Sequence, residues 1–124
     1  MKILVVDDEK DIQPLFTQRF RKEIRNGELN FEFAFSGEEA LAYLNNNLHE
    51  AVLILSDINM PGMSGLDLLD RIKREYKVPP PFVMMITAYG DKENHQQAME
   101  LGADDFLTKP VDFKELKAKI KTLI

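Results

Sequence analysis

No cysteine occurs in the 124 residues. That absence removes disulfides, thiolate zinc sites and cysteine nucleophiles together. No apolar run approaches the ~20 residues needed to cross a bilayer, so neither a membrane span nor membrane binding is expected. Met1-Lys2-Ile3-Leu4 passes straight into an acidic turn without a signal peptide's cleavage region, which points to the cytoplasm. Positive charge is scarce as well: 16 Lys and Arg stand against 21 Asp and Glu, a formal charge of −5. That balance argues against a nucleic-acid groove as the main surface. Internal repeats, interdomain linkers and low-complexity tracts are missing too. The remaining composition, 44% hydrophobic and 30% charged, is that of an ordinary globular chain. It is long enough for one domain over residues 1–124 and little else.

What is present is a regular series of short apolar runs. Ile3-Leu4-Val5-Val6 stops at Asp7-Asp8. Ala51-Val52-Leu53-Ile54-Leu55 stops at Asp57, and Phe82-Val83-Met84-Met85-Ile86 stops at Thr87. Runs apolar on both faces suit the central strands of a parallel sheet covered on both sides. Phe31 to Phe35 alternates less cleanly and Phe106-Leu107 is short, so these read as outer strands. Helical patterns lie between the runs. Ile12, Leu15, Phe16, Phe20 and Ile24 form one amphipathic stripe. Ser36-Gly37-Glu38-Glu39 is a capping box ahead of Ala40, Leu41 and Leu44, with Asn45-Asn46-Asn47 as the stop. Leu66, Leu69 and Ile72 repeat the stripe before Pro79-Pro80-Pro81. Asp91 caps a fourth helix that ends at Gly102. Asp112 caps a fifth, with Phe113, Leu116, Ile120 and Leu123 on one face. The fold expected is α/β: five βα units in one doubly wound sheet.

In an open parallel sheet, ligands bind outside the carboxyl ends of the strands. The residues at those ends are Asp7, Asp8, Asp57, Thr87 and Lys109. Taken singly, each is an ordinary turn, cap or surface residue. Together they bring three carboxylates, a hydroxyl and an ammonium to one rim. Three close like charges repel unless a cation sits among them, and with oxygen ligands alone that cation is Mg²⁺ or Mn²⁺. Lys109 supplies a second positive charge, so the pair outlines a site for an anion such as phosphate.

The residues around these positions carry a resemblance. Asp7-Asp8-Glu9, Asp57-Ile58-Asn59-Met60-Pro61-Gly62-Met63-Ser64-Gly65, Thr87-Ala88, Gly102-Ala103-Asp104-Asp105-Phe106 and Lys109-Pro110 together resemble the receiver domain of two-component response regulators, the chemotaxis regulators among them. The resemblance covers the whole chain, with the five motifs in the expected order and spacing. It implies the flavodoxin-like strand order 2-1-3-4-5. Asp57 would be the acceptor, a carboxylate nucleophile that becomes an acyl phosphate. Asp8 would hold Mg²⁺ directly, Asp7 largely through water, and the backbone carbonyl of Asn59 would add an oxygen. Thr87 and Lys109 would bind phosphoryl oxygens, with the Asn59 and Ala88 amides helping, and Pro110 would follow a cis peptide. The donor would be a phosphohistidine on a sensor histidine kinase or phosphotransfer protein. Thr87 would move toward the phosphoryl group, and Phe106 would turn inward, changing the surface of the fourth helix, fifth strand and fifth helix. Phe106 lacks the hydroxyl of the tyrosine found there in some members, which leaves packing alone to drive the switch. Asn59 and Tyr89 would flank the path of the attacking water and set the phosphoryl lifetime.

Three other functions fit less well. Aspartate-nucleophile phosphohydrolases carry an Asp-x-Asp pattern after the first strand, whereas Asp7 and Asp8 are adjacent. A nucleotide or flavin binder would need a phosphate loop after Val6, and neither G-x-G-x-x-G nor a Gly-rich or Ser/Thr-rich loop is there. An interaction module without the chemistry would be expected to lack at least one of the five functional residues. The protein is therefore read as a signalling switch and not a conventional enzyme. His49 and His95 look like solvated side chains, and the methionines mostly like core filler, although Met60 belongs to the loop motif. Lys114, Lys117, Lys119 and Lys121 make the last helix basic, a solvated face by default. The pattern that supports dimerisation in some transcriptional regulators is not evident, which favours a monomer. The output partner or domain is unknown: a stand-alone regulator that acts through a partner and a receiver from a larger protein both stay open.

Overall fold

A computed structural model describes residues 1–47, 53–76, 81–88 and 90–123. His49, Ala51-Val52, Pro79-Pro80 and Tyr89, all singled out above, lie outside the described residues. The elements are β1 (Lys2–Val6), α1 (Ile12–Arg19), α2 (Arg21–Arg25), β2 (Asn30–Ala34), α3 (Gly37–Asn46) and β3 (Leu53–Asp57). They continue as α4 (Gly65–Glu75), β4 (Phe82–Thr87), α5 (Lys92–Glu100), β5 (Asp105–Thr108) and α6 (Phe113–Lys121). The strands pair in parallel in the order β2-β1-β3-β4-β5, the doubly wound order expected.

Alternation along the central strands produces two cores, because neighbouring side chains on a strand leave by opposite faces. Leu4, Val6, Ile54, Val83 and Met85 meet Ala40, Leu41, Leu44, Leu68, Leu69, Ile72 and Ala98 from α3, α4 and α5. Ile3, Val5, Leu53, Leu55, Met84 and Ile86 meet Phe16 from α1, Phe20 just after it, and Leu116 and Ile120 from α6. Phe16 anchors the second core: its ring lies 5.1 Å from Phe113 and 5.8 Å from Phe31, edge to face in both cases. Such pairs add to the area that the rings bury.

Local signals place the helix starts. The hydroxyl of Ser36 accepts the Glu39 N–H, that of Ser64 accepts the Asp67 N–H, and the Asp112 carboxylate accepts those of Lys114 and Glu115. One expectation is corrected. The stripe from Ile12 to Ile24 is not one regular helix, because Phe20, at φ −108° and ψ 19°, separates α1 from α2. The Phe20 and Ile24 amides still reach back four residues, so both pieces keep facing the sheet. Met99 is 53% exposed and is not core filler, whereas Met60, Met84 and Met85 are buried.

Phe16→Ala should lower the unfolding free energy by about 3–5 kcal/mol in urea denaturation, since it leaves a cavity where four aromatic neighbours meet. A loss below that of an exposed substitution such as Gln18→Ala would contradict this packing.

Candidate functional site

Parallel register brings the carboxyl ends of β1, β3, β4 and β5 to one edge. Val6 lies beside Ser56, Asp57 beside Ile86, and Thr87 beside Thr108. Backbone bonds then carry the alignment one residue past the strands. The Asp7 N–H donates to the Ala34 carbonyl at 3.0 Å, Ile58 N–H to Ile86 at 3.3 Å, and Lys109 N–H to Thr87 at 2.8 Å. Asp7, Asp57, Thr87 and Lys109 are therefore aimed by the sheet and not by flexible loops.

The result is a crowded acidic rim. One carboxylate oxygen from each of Asp7, Asp8 and Asp57 lies within 4.8 Å of the others. Asp7 and Asp57 are buried, at 4% and 3% exposure, while Asp8 is more open to solvent. Lys109 Nζ donates to Asp57 Oδ2 at 2.7 Å across the rim. Asp7 Oδ1 accepts the Glu9 N–H at 2.9 Å. Burial holds the Asp7 carboxyl above the ordinary aspartate range; the Glu9 amide opposes that shift, the Asp57 charge adds to it, and Lys109 opposes it. Burial alone would lower the Lys109 ammonium, but its hydrogen bond to Asp57 and the charges of Asp57, Asp7 and Glu9 outweigh that and raise it. Three hard oxygen donors with one ammonium for compensation suit a small divalent cation, which would cancel the remaining repulsion.

Thr87 is buried, and its Oγ1 donates to the Leu107 carbonyl at a long 3.4 Å. So weak a bond leaves the hydroxyl available for a better acceptor. The Lys109-Pro110 peptide is cis, as expected. The side chain of Asn59 is exposed just beyond Asp57. Phe106 does not join the rim. It is half-buried on β5 and packs with the α3–α4–α5 core.

Two contributions were not foreseen from the sequence. Gly65 passes so close beneath Asp57 that a Cβ there would fall 2.0 Å from the Asp57 carbonyl oxygen and 2.7 Å from Ile58 Cα. The first residue of α4 therefore fixes the backbone of Asp57, and the Gly65 N–H donates to Ile58 at 2.7 Å. Glycine eight residues after Asp57 and next to the Ser64 cap was the available signal. The second is His95, expected to be solvated but half-buried with its ring 3.9 Å from that of Phe106.

Comparison with known proteins bears on this geometry. The family described as response regulator receiver domain matches residues 3–121. The response regulator RppA of Synechocystis is 34% identical over 123 residues, covering 99% of this chain and 50% of the relative. The transcriptional regulatory protein CpxR of Klebsiella pneumoniae is 36% identical, covering 99% of this chain and 49% of the relative. The chain thus spans about half the length of the curated relatives it matches. Among solved structures, the receiver domain of NtrX from Brucella abortus superposes with a TM-score of 0.81 at 34% identity, covering 98% of this chain and 96% of that one.

Because folding raises the Asp7 pKa, ionisation of Asp7 opposes folding, increasingly so as pH rises through the ordinary aspartate range. In metal-free buffer at pH 7, Asp7→Asn should therefore raise stability by about 0.5–2 kcal/mol in urea titration. The gain should vanish at pH values where wild-type Asp7 is protonated in both states. A variant less stable than wild type at pH 7 would contradict the electrostatic reading.

Proposed function

The chain belongs to the response-regulator receiver family, and we propose that it accepts a phosphoryl group on Asp57 and so changes the surface formed by α5, β5 and α6. Phosphorylation-dependent switching is the general function of the family. The observation that carries its assignment here is the Asp7–Asp8–Asp57 cluster with Lys109 bonded to the acceptor carboxylate.

Asp7, Asp8 and Asp57, with the Asn59 carbonyl, would hold Mg²⁺, which when bound supplies positive charge for the transferring phosphoryl oxygens. An Asp57 carboxylate oxygen attacks phosphorus, and the bond to the donor nitrogen breaks with its electron pair, leaving an acyl phosphate on Asp57 and a free imidazole on the donor. Lys109, already bonded to Asp57, neutralises one phosphoryl oxygen. The Thr87 hydroxyl exchanges its long bond to Leu107 for another phosphoryl oxygen. Positioning and charge neutralisation account for most of what phosphoryl transfer requires, and these side chains provide both. The protein is in this reading its own phosphoacceptor and hydrolyses its own acyl phosphate; it is not a conventional enzyme. A sensor histidine kinase or a phosphotransfer protein is the donor.

The switch follows from Thr87. Its shift toward Asp57 releases space into which Phe106 turns, biasing an existing two-state equilibrium. Asn59 and Tyr89 set the phosphoryl lifetime, Tyr89 by its bulk. Tyr89→Ala and Tyr89→Glu should both shorten that lifetime, and unchanged or longer lifetimes would contradict the role.

Acetyl phosphate and Mg²⁺ should add one phosphoryl group to the protein, seen by intact-mass spectrometry, and Asp57→Asn should gain none. Thr87→Ala should still be labelled while losing the spectral changes around β5. Equal labelling of Asp57→Asn would remove Asp57 as acceptor.

A further inference from the structure

Phe106 carries no hydroxyl, so no hydrogen bond from its ring can hold it in either of two positions. The backbone around it is pinned instead. The Asp104 carboxylate accepts the Val83 N–H at 2.8 Å and Lys73 Nζ at 2.7 Å. Both oxygens of Asp105 accept from Lys119 Nζ at 2.9 Å, and Asp105 Oδ1 also takes the Phe106 N–H. With both preceding residues tied to other elements, a change at Phe106 is a side-chain rotation and not a strand movement.

The ring itself touches one polar aromatic. His95, on the second turn of α5, lies with its centroid 3.9 Å from that of Phe106 and its plane tilted by 36°. His95 also lines, with Thr87, Ala88 and Thr108, an open groove of about 750 Å³ at the end of β4. It therefore borders the same groove as Thr87 and also touches the ring of Phe106. Phe106 lies beside Met85 in register, and its side chain packs against the same core that Met85 enters.

We infer that His95 is a positioning residue for the switch: its imidazole stacks on Phe106 in the unphosphorylated protein, and that stack must separate before Phe106 turns inward. This rests on the phosphorylation reading above and adds to it the group that sets the resting state. An aromatic stack of this kind favours the arrangement that keeps it, so removing it should raise the resting population of the switched form by about two- to tenfold. The resting balance is then set by residue 95 as well as by the residues that bind the phosphoryl group.

Solution NMR of the whole chain tests this, with Mg²⁺ in the presence and absence of beryllofluoride. The two histidines are distinguished with His49→Gln. Without beryllofluoride the His95 ring protons should be displaced upfield by the Phe106 ring current, and on activation that displacement should disappear. His95→Ala should raise the switched fraction without beryllofluoride, and His95→Phe, which can stack, should restore the wild-type balance. Ring protons that keep their displacement while the Asp57 and Thr87 amides respond would overturn the inference and leave the phosphorylation reading standing. So would an unchanged resting balance in His95→Ala. No response of the Asp57 and Thr87 amides to beryllofluoride would remove both.

Discussion

Repulsion among Asp7, Asp8 and Asp57 is the constraint on which the rest of this structure depends. Their carboxylate oxygens are gathered within 4.8 Å, two of the three side chains are buried, and one ammonium, from Lys109, answers them. Such a cluster opposes folding wherever all three groups are charged. It persists because the surrounding structure leaves it nowhere else to go. Four parallel strands end in register, three of them extended one residue by a backbone bond, and Gly65 presses α4 against the Asp57 carbonyl. The two cores that hold those strands are what offset the electrostatic cost. The three carboxylates that resist being gathered are also the oxygen donors that a divalent cation would need.

The same economy runs outward from the rim. Thr87 is buried beside Asp57 and only loosely bonded to Leu107, so a stronger acceptor near Asp57 can capture it. Around β5, by contrast, Asp104 and Asp105 are each held by a lysine from another helix. Under the proposed switch, firmly held strand ends flanking a loosely held hydroxyl and a rotatable ring would give two discrete positions and not a continuous yielding.

Much of this was legible in the sequence because it is local. The apolar runs at Ile3–Val6 and Phe82–Ile86 are β-branched or buried on both faces, and the acids and Thr87 that end them are where a parallel sheet binds ligands. The caps at Ser36, Asp91 and Asp112 were readable for the same reason. What was not legible involves partners far apart in the chain. Lys117 and Lys119 read as part of a solvated basic face, yet they pair with Glu23 and Asp105, which lie outside any helical repeat with them. His95 read as solvated because nothing within α5 announces Phe106. The break at Phe20 was hidden by a hydrophobic stripe that continues across it, since burial and helix regularity are separate demands. Gly65 marks a close approach between two backbones, which spacing alone does not reveal.

Unfolding free energy measured against Mg²⁺ concentration at pH 7 decides whether the acidic rim takes a cation that relieves its charge repulsion. Binding to the folded state alone predicts a rise of about 1.4 kcal/mol for every tenfold increase in Mg²⁺ above its dissociation constant. Asp57→Asn should respond less to Mg²⁺ than the wild type. A wild-type stability that does not change with Mg²⁺ would contradict the account.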